Sequence, residues 1–312
     1  MPSHTIIIDT DPGQDDAVAI MLALASPELN VLAVTAVAGN VPLHRTEMNA
    51  RMVVESSGRP DIPVYAGAVR PLLRELVTAE YVHGPTGIDG ADLPEPTIPL
   101  AEGHAVQAII RHVHDSPDPV TICPLGPLTN VALALLLDPS IAGNINQIVL
   151  MGGGYFAGGN VTPAAEFNIY VDPHAAEIVF TSGIDIVMLP LDVTHKALVT
   201  ADETKRFADL GNRCGAAVAG MIGFYERYDI EKLGSKGAPI HDPNVIAYLL
   251  KPEMYGGRRC HVVIETATGA SLGATQVDWW GVTGCEPNAL VLQDVDSDGF
   301  FDLLVEGIAR LP

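Results

Sequence analysis

Short apolar runs alternate along the chain with segments whose apolar residues repeat at helical spacing. The run IIID (6–9) is followed by the helical pattern DDAVAIMLALAS, then by VLAVTAVAG (31–39) and a helical stretch to Ser57. Continuous apolar runs of this length are typical of strands buried on both faces, and their alternation with helices is the β-α-β pattern of a parallel sheet. The pattern therefore predicts an α/β fold with an open, mostly parallel central sheet and helices on both faces.

The same alternation continues towards the C terminus, without a linker-like segment or an internal repeat. Two long loops rich in Gly, Pro and polar residues, 78–99 and 152–170, are candidate parts of a site, because open α/β sheets bind ligands beyond the carboxyl ends of their strands. We expect a single domain over residues 1–312. The further predicted strands are 120–123, 147–152, 184–189, 261–265 and 289–294, and the further helices are 101–115, 128–137, 173–182, 201–230 with a break, 243–250 and 299–309.

Composition narrows the range of partners. A 312-residue chain with 48% hydrophobic residues can bury a large core, and its formal charge of −21 argues against binding nucleic acid or an anionic membrane. The sequence has no apolar run long enough to cross a bilayer, and its start lacks the basic end of a signal peptide, so we expect a soluble, cytoplasmic protein. The four cysteines have no C-x-x-C spacing, which indicates reduced thiols.

Candidate chemistry begins directly after the first strand. The segment DTDPGQDD (9–16) places four carboxylates in eight residues, and the first Lys or Arg of the chain is Arg45. Asp15 and Asp16 also fit a plain structural role, as acids in the first turn of a helix, where the helix dipole stabilises negative charge. That interpretation accounts for two of the four acids.

The local geometry favours a metal site over a purely structural turn. Pro12 restricts Asp11 to an extended conformation and Gly13 permits a tight turn into the helix, so the side chains of Asp11 and Asp16 can converge. Converging carboxylates repel each other unless a cation or a shared proton joins them. Since no His is near in sequence, oxygen ligands favour Ca²⁺ or Mg²⁺ over zinc.

At this point a family resemblance becomes specific. The string DTDPGQDDA resembles the N-terminal signature of the inosine-uridine preferring nucleoside hydrolases, and further motifs in the family's order extend to residue 242. The resemblance implies a Rossmann-like nucleoside hydrolase fold, a homodimer or homotetramer, and hydrolysis of the N-glycosidic bond of ribonucleosides. It also implies a resident Ca²⁺ ion.

The resemblance assigns the ligands of that ion. Asp11 and a bidentate Asp16 come from the first turn, the backbone carbonyl of Leu125 from CPLGPLTN (123–130), and Asp242 from HDPN (241–244). With one water and two ribose hydroxyls the shell holds about eight oxygens, which suits calcium and exceeds what magnesium accepts. From the residues alone, Leu125 lies in an ordinary strand-turn-helix junction and Asp242 reads as a helix N-cap before a proline.

The remaining motifs concern binding of the sugar and the base. The segment MGGGYFAGGNVTPAAEFN (151–168) does not have the glycine spacing of a dinucleotide-binding loop, and it resembles the family's ribose loop. His83 lies in a loop that otherwise reads as a surface turn, and His241 is a lone histidine of a kind that is usually structural. The substrate contacts implied by the resemblance are Asp15, Asn40, His83, Asn160, Glu166 and Asn168.

The resulting hypothesis is acid-base hydrolysis. Ca²⁺ anchors the ribose diol and activates a water, Asp11 takes the proton of that water, and His241 protonates or polarises the departing base. Purine-preferring subgroups of the family tend to carry Trp directly before the late aspartate, where this chain has His241. We therefore expect pyrimidine nucleosides or a broad inosine and uridine range, and we expect Trp279 and Trp280 to be packing residues.

Two other functions remain open from the residues. A magnesium-dependent phosphatase would use the D-x-D after the first strand, although the first 44 residues offer no cation to hold phosphate. A non-catalytic nucleoside or sugar sensor would use the same scaffold. The segment DVDSDGFFD (294–302) imitates an EF-hand loop, but Val305 stands where a bidentate Glu is required, so it predicts a strand that passes into a terminal helix.

Overall fold

The computed structural model describes residues 4–233 and 237–312. Within them, strands form one nine-stranded sheet and one two-stranded sheet. The strands of the large sheet, in chain order, are β1 (His4–Thr10), β2 (Leu29–Ala36), β3 (Val64–Ala66), β4 (Val120–Pro124), β5 (Ile145–Met151), β6 (Ile186–Leu189), β9 (Tyr255–Ile264), β10 (Thr275–Asp278) and β11 (Ala289–Val295), and the small sheet pairs β7 (Leu198–Val199) with β8 (Ala238–Pro239).

Helices connect most of these strands. Two short 3₁₀ helices, Pro139–Asn144 and Pro252–Met254, lie beside them. The α-helices are α1 (Gln14–Ala25), α2 (Leu43–Ser56), α3 (Glu80–His83), α4 (Ala105–Asp115), α5 (Thr129–Leu137), α6 (Phe167–Val171), α7 (Pro173–Phe180), α8 (Leu191–Thr194), α9 (Ala201–Ala208), α10 (Arg213–Leu233), α11 (Pro243–Leu250) and α12 (Ser297–Ile308).

The large sheet is mostly parallel and is covered on both faces. Its strand order is β10-β9-β11-β6-β5-β4-β1-β2-β3, and only the pairings of β9 with β10 and with β11 are antiparallel. Alternate residues of β1 enter different cores: Ile6 and Ile8 pack in one buried cluster, and Ile7 packs in another on the opposite face. The predicted fold class is confirmed.

The strand order places a switch point beside β1. The chain runs from β1 outwards through β2 to β3, and then returns to the other side of β1 to form β4. The loops that leave the carboxyl ends of β1 and β4 therefore diverge and leave a crevice between them, which is where open α/β sheets bind ligands. Asp11 follows β1, and Leu125 follows β4.

The structure adds elements that the hydrophobic pattern does not reveal. β7 and β8 have two residues each and β3 has three, too few to show a periodicity. Helix α3 lies inside the predicted loop 78–99, and α6 overlaps the end of the predicted loop 152–170. The strand predicted at 261–265 begins earlier, at Tyr255, because the pattern does not distinguish the exposed Arg258 and Arg259 from a turn.

Several smaller predictions have clear outcomes. The segment DVDSDGFFD passes from β11 into α12 with Asp296 as the N-cap, as expected. All four cysteines are free thiols, and none of the described helices is long and apolar enough to span a membrane. The prediction for Trp280 is wrong, since its side chain is 75% exposed, whereas the Trp279 ring stacks on Tyr155 at 5.4 Å.

Candidate active site

The turn between β1 and α1 is built around the carboxylate of Asp16. One of its oxygens accepts hydrogen bonds from the Thr10 hydroxyl at 2.5 Å and the Asp11 amide at 3.3 Å. The other accepts from the amide of Gly13 at 2.9 Å and the side-chain amide of Asn40 at 3.3 Å. Asp16 is the third residue of α1, so its carboxylate reaches back over the N terminus of the helix and holds the whole turn.

Asp11 is held between two glycines at the ends of neighbouring strands. A Cβ atom on Gly39 would lie 2.0 Å from one carboxylate oxygen of Asp11, and a Cβ atom on Gly126 would lie 2.2 Å from the other. The first of these oxygens accepts a hydrogen bond from the Asn40 amide at 2.7 Å. The second, Oδ1, is buried and has no hydrogen-bond partner among the described residues. Asp11 therefore has a fixed orientation and one unused oxygen.

Three buried carboxylates approach one another closely at this point. Oxygens of Asp15, Asp16 and Asp242 lie within 4.8 Å of one another. Burial, then the charge of Asp16, raises the pKa of Asp15 to about 7, although backbone amides of Asp242 and His241 act in the opposite direction. Burial and the neighbouring aspartates also raise the pKa of Asp11 and of Asp242 well above their usual range. Close, buried carboxylates lower the stability of the folded protein unless a cation compensates their charge.

The donor set fits a hard divalent cation. The acids offer only oxygen ligands, none of them forms an ion pair with any residue in the described part of the chain, and Asp11 Oδ1 lacks a partner. The tight triad nevertheless differs from the predicted ligand set, because it contains Asp15, which was predicted to bind a sugar hydroxyl, in the place of Asp11. Asp15 and Asp16 are adjacent at the start of a helix, and both side chains can face the same point. Sequence spacing alone does not show which of the aspartates lie closest together.

Comparison of three Asp-Pro pairs separates Asp242 from a helix cap. The Asp138 side chain accepts a hydrogen bond from the Ser140 amide, and the Asp172 side chain accepts one from the Ala175 amide, as N-caps do. Asp242 precedes α11 in the same way but makes no side-chain cap hydrogen bond. The cap reading of Asp242 is therefore wrong, because its carboxylate faces the other acids instead of its own helix.

The carbonyl of Leu125 is held by the predicted ribose loop. The Leu125 amide bonds to the carbonyl of Asp9 at 2.7 Å, which continues the ladder between β1 and β4 by one residue. The Leu125 carbonyl accepts a hydrogen bond from the side-chain amide of Asn168 at 2.7 Å. Asn168, predicted to bind sugar, thus also holds the carbonyl that was predicted to complete the metal shell.

Glu166 and Asn160 fix the predicted ribose loop in this structure. Glu166 caps α6 and accepts hydrogen bonds from the amides of Asn168, Ile169 and Gly153, and the Asn160 side-chain oxygen accepts one from the amide of Phe167. Burial raises the pKa of Glu166 to about 7 against these amides. Both side chains line the cavity while they order its wall.

Asp192, which no sequence pattern indicates as a site residue, anchors the same loop from α8. The Asp192 carboxylate accepts hydrogen bonds at 2.9 Å from three successive amides, those of Tyr155, Phe156 and Ala157. Thr275 adds two hydrogen bonds to Gly154. A single acid in an apolar strand-to-helix junction carries no local sequence signal for this contact, which joins residues more than 30 positions apart.

These elements enclose a cavity of about 260 Å³. Asp11 and Asp16 lie behind its wall, and every other predicted site residue lines it. Aromatic and apolar side chains complete the wall. The predicted residues at the surface of the cavity are Asp15, Asn40, His83, Leu125, Asn160, Glu166, Asn168, His241 and Asp242.

Two of the predicted residues are imidazoles with one nitrogen already committed. The Nδ1 atom of His83 lies 2.6 Å from the side-chain oxygen of Gln14, and the Nδ1 atom of His241 lies 2.7 Å from the Thr194 hydroxyl. Burial lowers the pKa of His83 to about 4 and, with the neighbouring histidines, that of His241 to about 3. Both rings are therefore neutral near pH 7, and in each the other nitrogen, Nε2, is left for a ligand.

Fold and site together define a class of protein: an α/β enzyme that binds a small polar substrate at the switch point of a parallel sheet, beside acids suited to a divalent cation. A profile of the family described as inosine-uridine preferring nucleoside hydrolase matches residues 6–302. The chain belongs to the inosine-uridine preferring nucleoside hydrolase family, and the acidic triad is a candidate site for its metal.

Similar proteins support this assignment over the whole length of the chain. A pyrimidine-specific ribonucleoside hydrolase, RihA, of Salmonella paratyphi B is 52% identical, with 96% of this chain and 97% of that protein covered. An uncharacterized protein of Schizosaccharomyces pombe is 50% identical over 98% of this chain and 99% of its own. Among solved structures, a purine-preferring ribonucleoside hydrolase from Gardnerella vaginalis has a TM-score of 0.91 at 32% identity, with 98% of each chain covered.

A plant nucleoside hydrolase is equally similar in structure, with a TM-score of 0.91 at 34% identity and 99% of each chain covered. The enzyme class is thus an N-glycosidic hydrolase. Membership of this family is evidence against both functions that the residues left open, the D-x-D phosphatase and the non-catalytic sensor.

Proposed function

We propose that this enzyme is a calcium-dependent ribonucleoside hydrolase that prefers pyrimidine nucleosides and releases ribose and free base. The observation that carries the proposal is the group of buried aspartates beside the cavity, none of which forms an ion pair with a described residue. An N-glycosidic bond breaks through a sugar cation, so carboxylates around the sugar stabilise the transition state.

The proposed ligands of the ion are the carboxylates of Asp11, Asp16 and Asp242 and the carbonyl of Leu125. An all-oxygen set of this size, with room for water and two hydroxyls, favours calcium over magnesium and zinc. When bound, the ion would supply a positive charge that binds ribose hydroxyls and lowers the pKa of a water molecule.

Asp11 is the proposed general base. One of its oxygens is fixed by the Asn40 amide, and the other has no partner within the described residues, so it is free to accept the proton of an attacking water. Asp15, at the surface of the cavity, is placed to accept a hydrogen bond from a ribose hydroxyl. Asn40 orients two of the proposed metal ligands, since its backbone amide bonds to Asp11 and its side chain bonds to Asp16.

His241 is the proposed donor to the leaving base, and His83 is a proposed base contact. Because Nδ1 of His241 is bonded to Thr194, the other nitrogen serves the substrate. A neutral imidazole that presents N–H to the base stabilises the negative charge that grows there, and it can pass on its proton.

The preference for pyrimidines rests on two observations. The relative that is 52% identical is named pyrimidine-specific, whereas the purine-preferring structure is only 32% identical. In addition, the residue before Asp242 is a histidine, not the Trp that purine-preferring subgroups use to stack on the base. A broad inosine and uridine range is the alternative.

The test is a reducing-sugar assay on uridine, cytidine, inosine and adenosine, with and without a chelator. The proposal expects ribose from the pyrimidine nucleosides above all, loss of turnover in the chelator and recovery with Ca²⁺. Full turnover in the chelator would refute calcium dependence, and faster release from inosine or adenosine would refute the preference.

Assembly and location are proposals of a different kind. A homodimer or homotetramer rests on the family resemblance, and a cytoplasmic location rests on composition. Light scattering on the purified protein measures the first directly.

A further inference from the structure

A third imidazole lines the cavity beside the two that the sequence indicates. His195 follows α8, and its backbone amide closes that helix by bonding to the Leu191 carbonyl at 2.9 Å. Its ring centroid lies 5.8 Å from that of His241, with the two planes inclined by 54°. The side chain is accessible from the cavity, of which it forms part of the wall.

The hydrogen bonds of His195 differ from those of the other two histidines. His83 and His241 each commit Nδ1 to a neighbouring side chain. Among the side chains that the structure describes, neither ring nitrogen of His195 has a hydrogen-bond partner, and the ring contact described for it is with His241. Both nitrogens are therefore available to a ligand in the cavity.

The backbone that carries His195 is firmly held. Asp192 binds three amides of the loop 155–157, and the carbonyl of Ala197 accepts a hydrogen bond from the Ile240 amide at 3.0 Å. Thr194, one residue before His195, bonds to the His241 ring. An accessible polar ring on a fixed backbone is suited to recognition, because little conformational freedom is lost on binding.

The neighbours of His195 place it beside the proposed leaving-group donor. Its ring lies next to that of His241, which directly precedes Asp242, one of the proposed metal ligands. His195, His241, Asp15 and Asp242 line the same cavity. A nucleoside whose ribose is held by the acids and whose leaving nitrogen meets His241 would therefore place its base in the part of the cavity that His195 lines.

We propose that His195 contacts the nucleobase and contributes to its selection. This inference rests on the proposed function. The ligand class is a heterocycle whose edge carries carbonyl oxygens and ring nitrogens, as in uracil, because a neutral imidazole offers one donor and one acceptor to such an edge. His195 differs in role from His241: it binds the far part of the base, and the leaving nitrogen belongs to His241.

The experiment compares His195→Phe, His195→Ala and His195→Asn with the wild type and with His114→Ala, a histidine in an exposed ion pair with Asp138. Phe keeps a ring against His241 but removes the hydrogen bond, and Asn keeps a polar group. Steady-state kinetics on uridine give kcat and KM separately. Inhibition by an iminoribitol without a base reports on the sugar end alone.

We expect Phe and Ala to lower kcat/KM for uridine about tenfold, mainly through KM, as for one lost hydrogen bond, and Asn to recover part of it. The inhibition constant of the iminoribitol and all constants of His114→Ala should stay within about twofold, since no sugar contact changes. Wild-type kinetics in His195→Phe, or an equal loss of iminoribitol binding, would overturn the inference. Absence of ribose release by the wild type from every nucleoside would instead refute the proposed function.

Discussion

The two ends of the cavity solve opposite electrostatic problems. At one end, Asp11, Asp15, Asp16 and Asp242 are buried close together, and burial raises the pKa of several of them. At the other end, burial lowers the pKa of His83 and His241 far enough to keep both rings neutral near pH 7. One end concentrates negative charge, and the other presents neutral hydrogen-bonding groups.

This contrast matches the charge that develops when an N-glycosidic bond breaks. Positive charge grows on the sugar and negative charge on the base, so acids belong beside the sugar and donors beside the base. A cationic histidine near the acids would neutralise them and weaken that polarity. Burial shifts pKa values at both ends of the cavity, but the neighbours of the shifted groups differ. The acids adjoin other acids, whereas the imidazoles of His83 and His241 adjoin the neutral side chains of Gln14 and Thr194.

The largest effect is expected from Asp11→Asn. The substitution preserves shape but removes the proposed proton acceptor, so kcat should fall about 10³-fold or more with every substrate, because general-base catalysis alone contributes about 10²- to 10⁴-fold. Ribose release measures the loss, and Asp118→Asn, an exposed acid, is the control. Normal turnover in Asp11→Asn would remove the base from the proposed mechanism.

His241→Phe should act on the other end only. With uridine, kcat should fall about 10²-fold, since the base loses its proton donor. With p-nitrophenyl riboside, whose leaving group departs without a proton, the loss should be smaller than about fivefold. Equal losses on both substrates would mean that His241 serves the sugar end, and the contrast between the ends would fail.

The pair Asp242→Asn and Asp172→Asn tests metal binding against helix capping. Asp242→Asn should weaken calcium binding at least as much as the loss of an outer-shell partner does, about 10- to 100-fold, and should not lower the melting temperature in a chelator, because it removes one of several repelling charges. Isothermal titration and thermal melts measure the two effects.

Asp172→Asn should show the reverse pattern. The Asp172 carboxylate accepts hydrogen bonds from the Leu72 amide, the Thr129 hydroxyl and the Ala175 amide. The substitution Asp172→Asn should therefore lower the free energy of unfolding by about 1–3 kcal/mol and leave the calcium affinity unchanged. If Asp242→Asn destabilises the chelated protein as Asp172→Asn does, the carboxylate of Asp242 has a structural role.

Asp9, a buried acid outside the cavity, should affect only the pH dependence of stability. One of its oxygens accepts hydrogen bonds from Thr35 and Asn130, the other has no partner among the described residues, and burial raises its pKa to about 7. A raised folded-state pKa means that stability falls as the pH rises from the unfolded value near 4 to about 7.

Asp9→Asn removes that loss. Its free energy of unfolding relative to the wild type should therefore increase between about pH 4 and pH 7, by no more than about 4 kcal/mol, and stay constant above pH 7. Urea melts at several pH values measure it, with Asp118→Asn as the control. A difference that does not change with pH would show that Asp9 keeps an ordinary pKa.

Local sequence predicts one end of the site far better than the other. Asp11, Asp15 and Asp16 lie within six residues, and a strand, a proline and a glycine define how they turn into α1. The sheet could be predicted for a similar reason, because its buried strands are continuous apolar runs. Asp242, by contrast, could be separated from a helix cap only by the family resemblance or by the structure.

The imidazole end depends on contacts between distant segments. His195 faces the cavity because the short helix α8 is tied to the loop 155–157 by Asp192 and to His241 by Thr194. Pairs so far apart in sequence leave no periodicity or spacing to read. The same holds for Gly39 and Gly126, whose lack of side chains matters only because both lie against the Asp11 carboxylate.

The central claim is tested most directly by a crystal structure of the protein grown with Ca²⁺ and a ribose-containing ligand, using anomalous scattering to locate calcium. We expect one calcium ion bound by Asp11, Asp16, the Leu125 carbonyl and Asp242, with the ribose hydroxyls in its shell and the base against His241. A map without calcium among these acids, or acids that point away from one another while ribose is bound, would contradict the account.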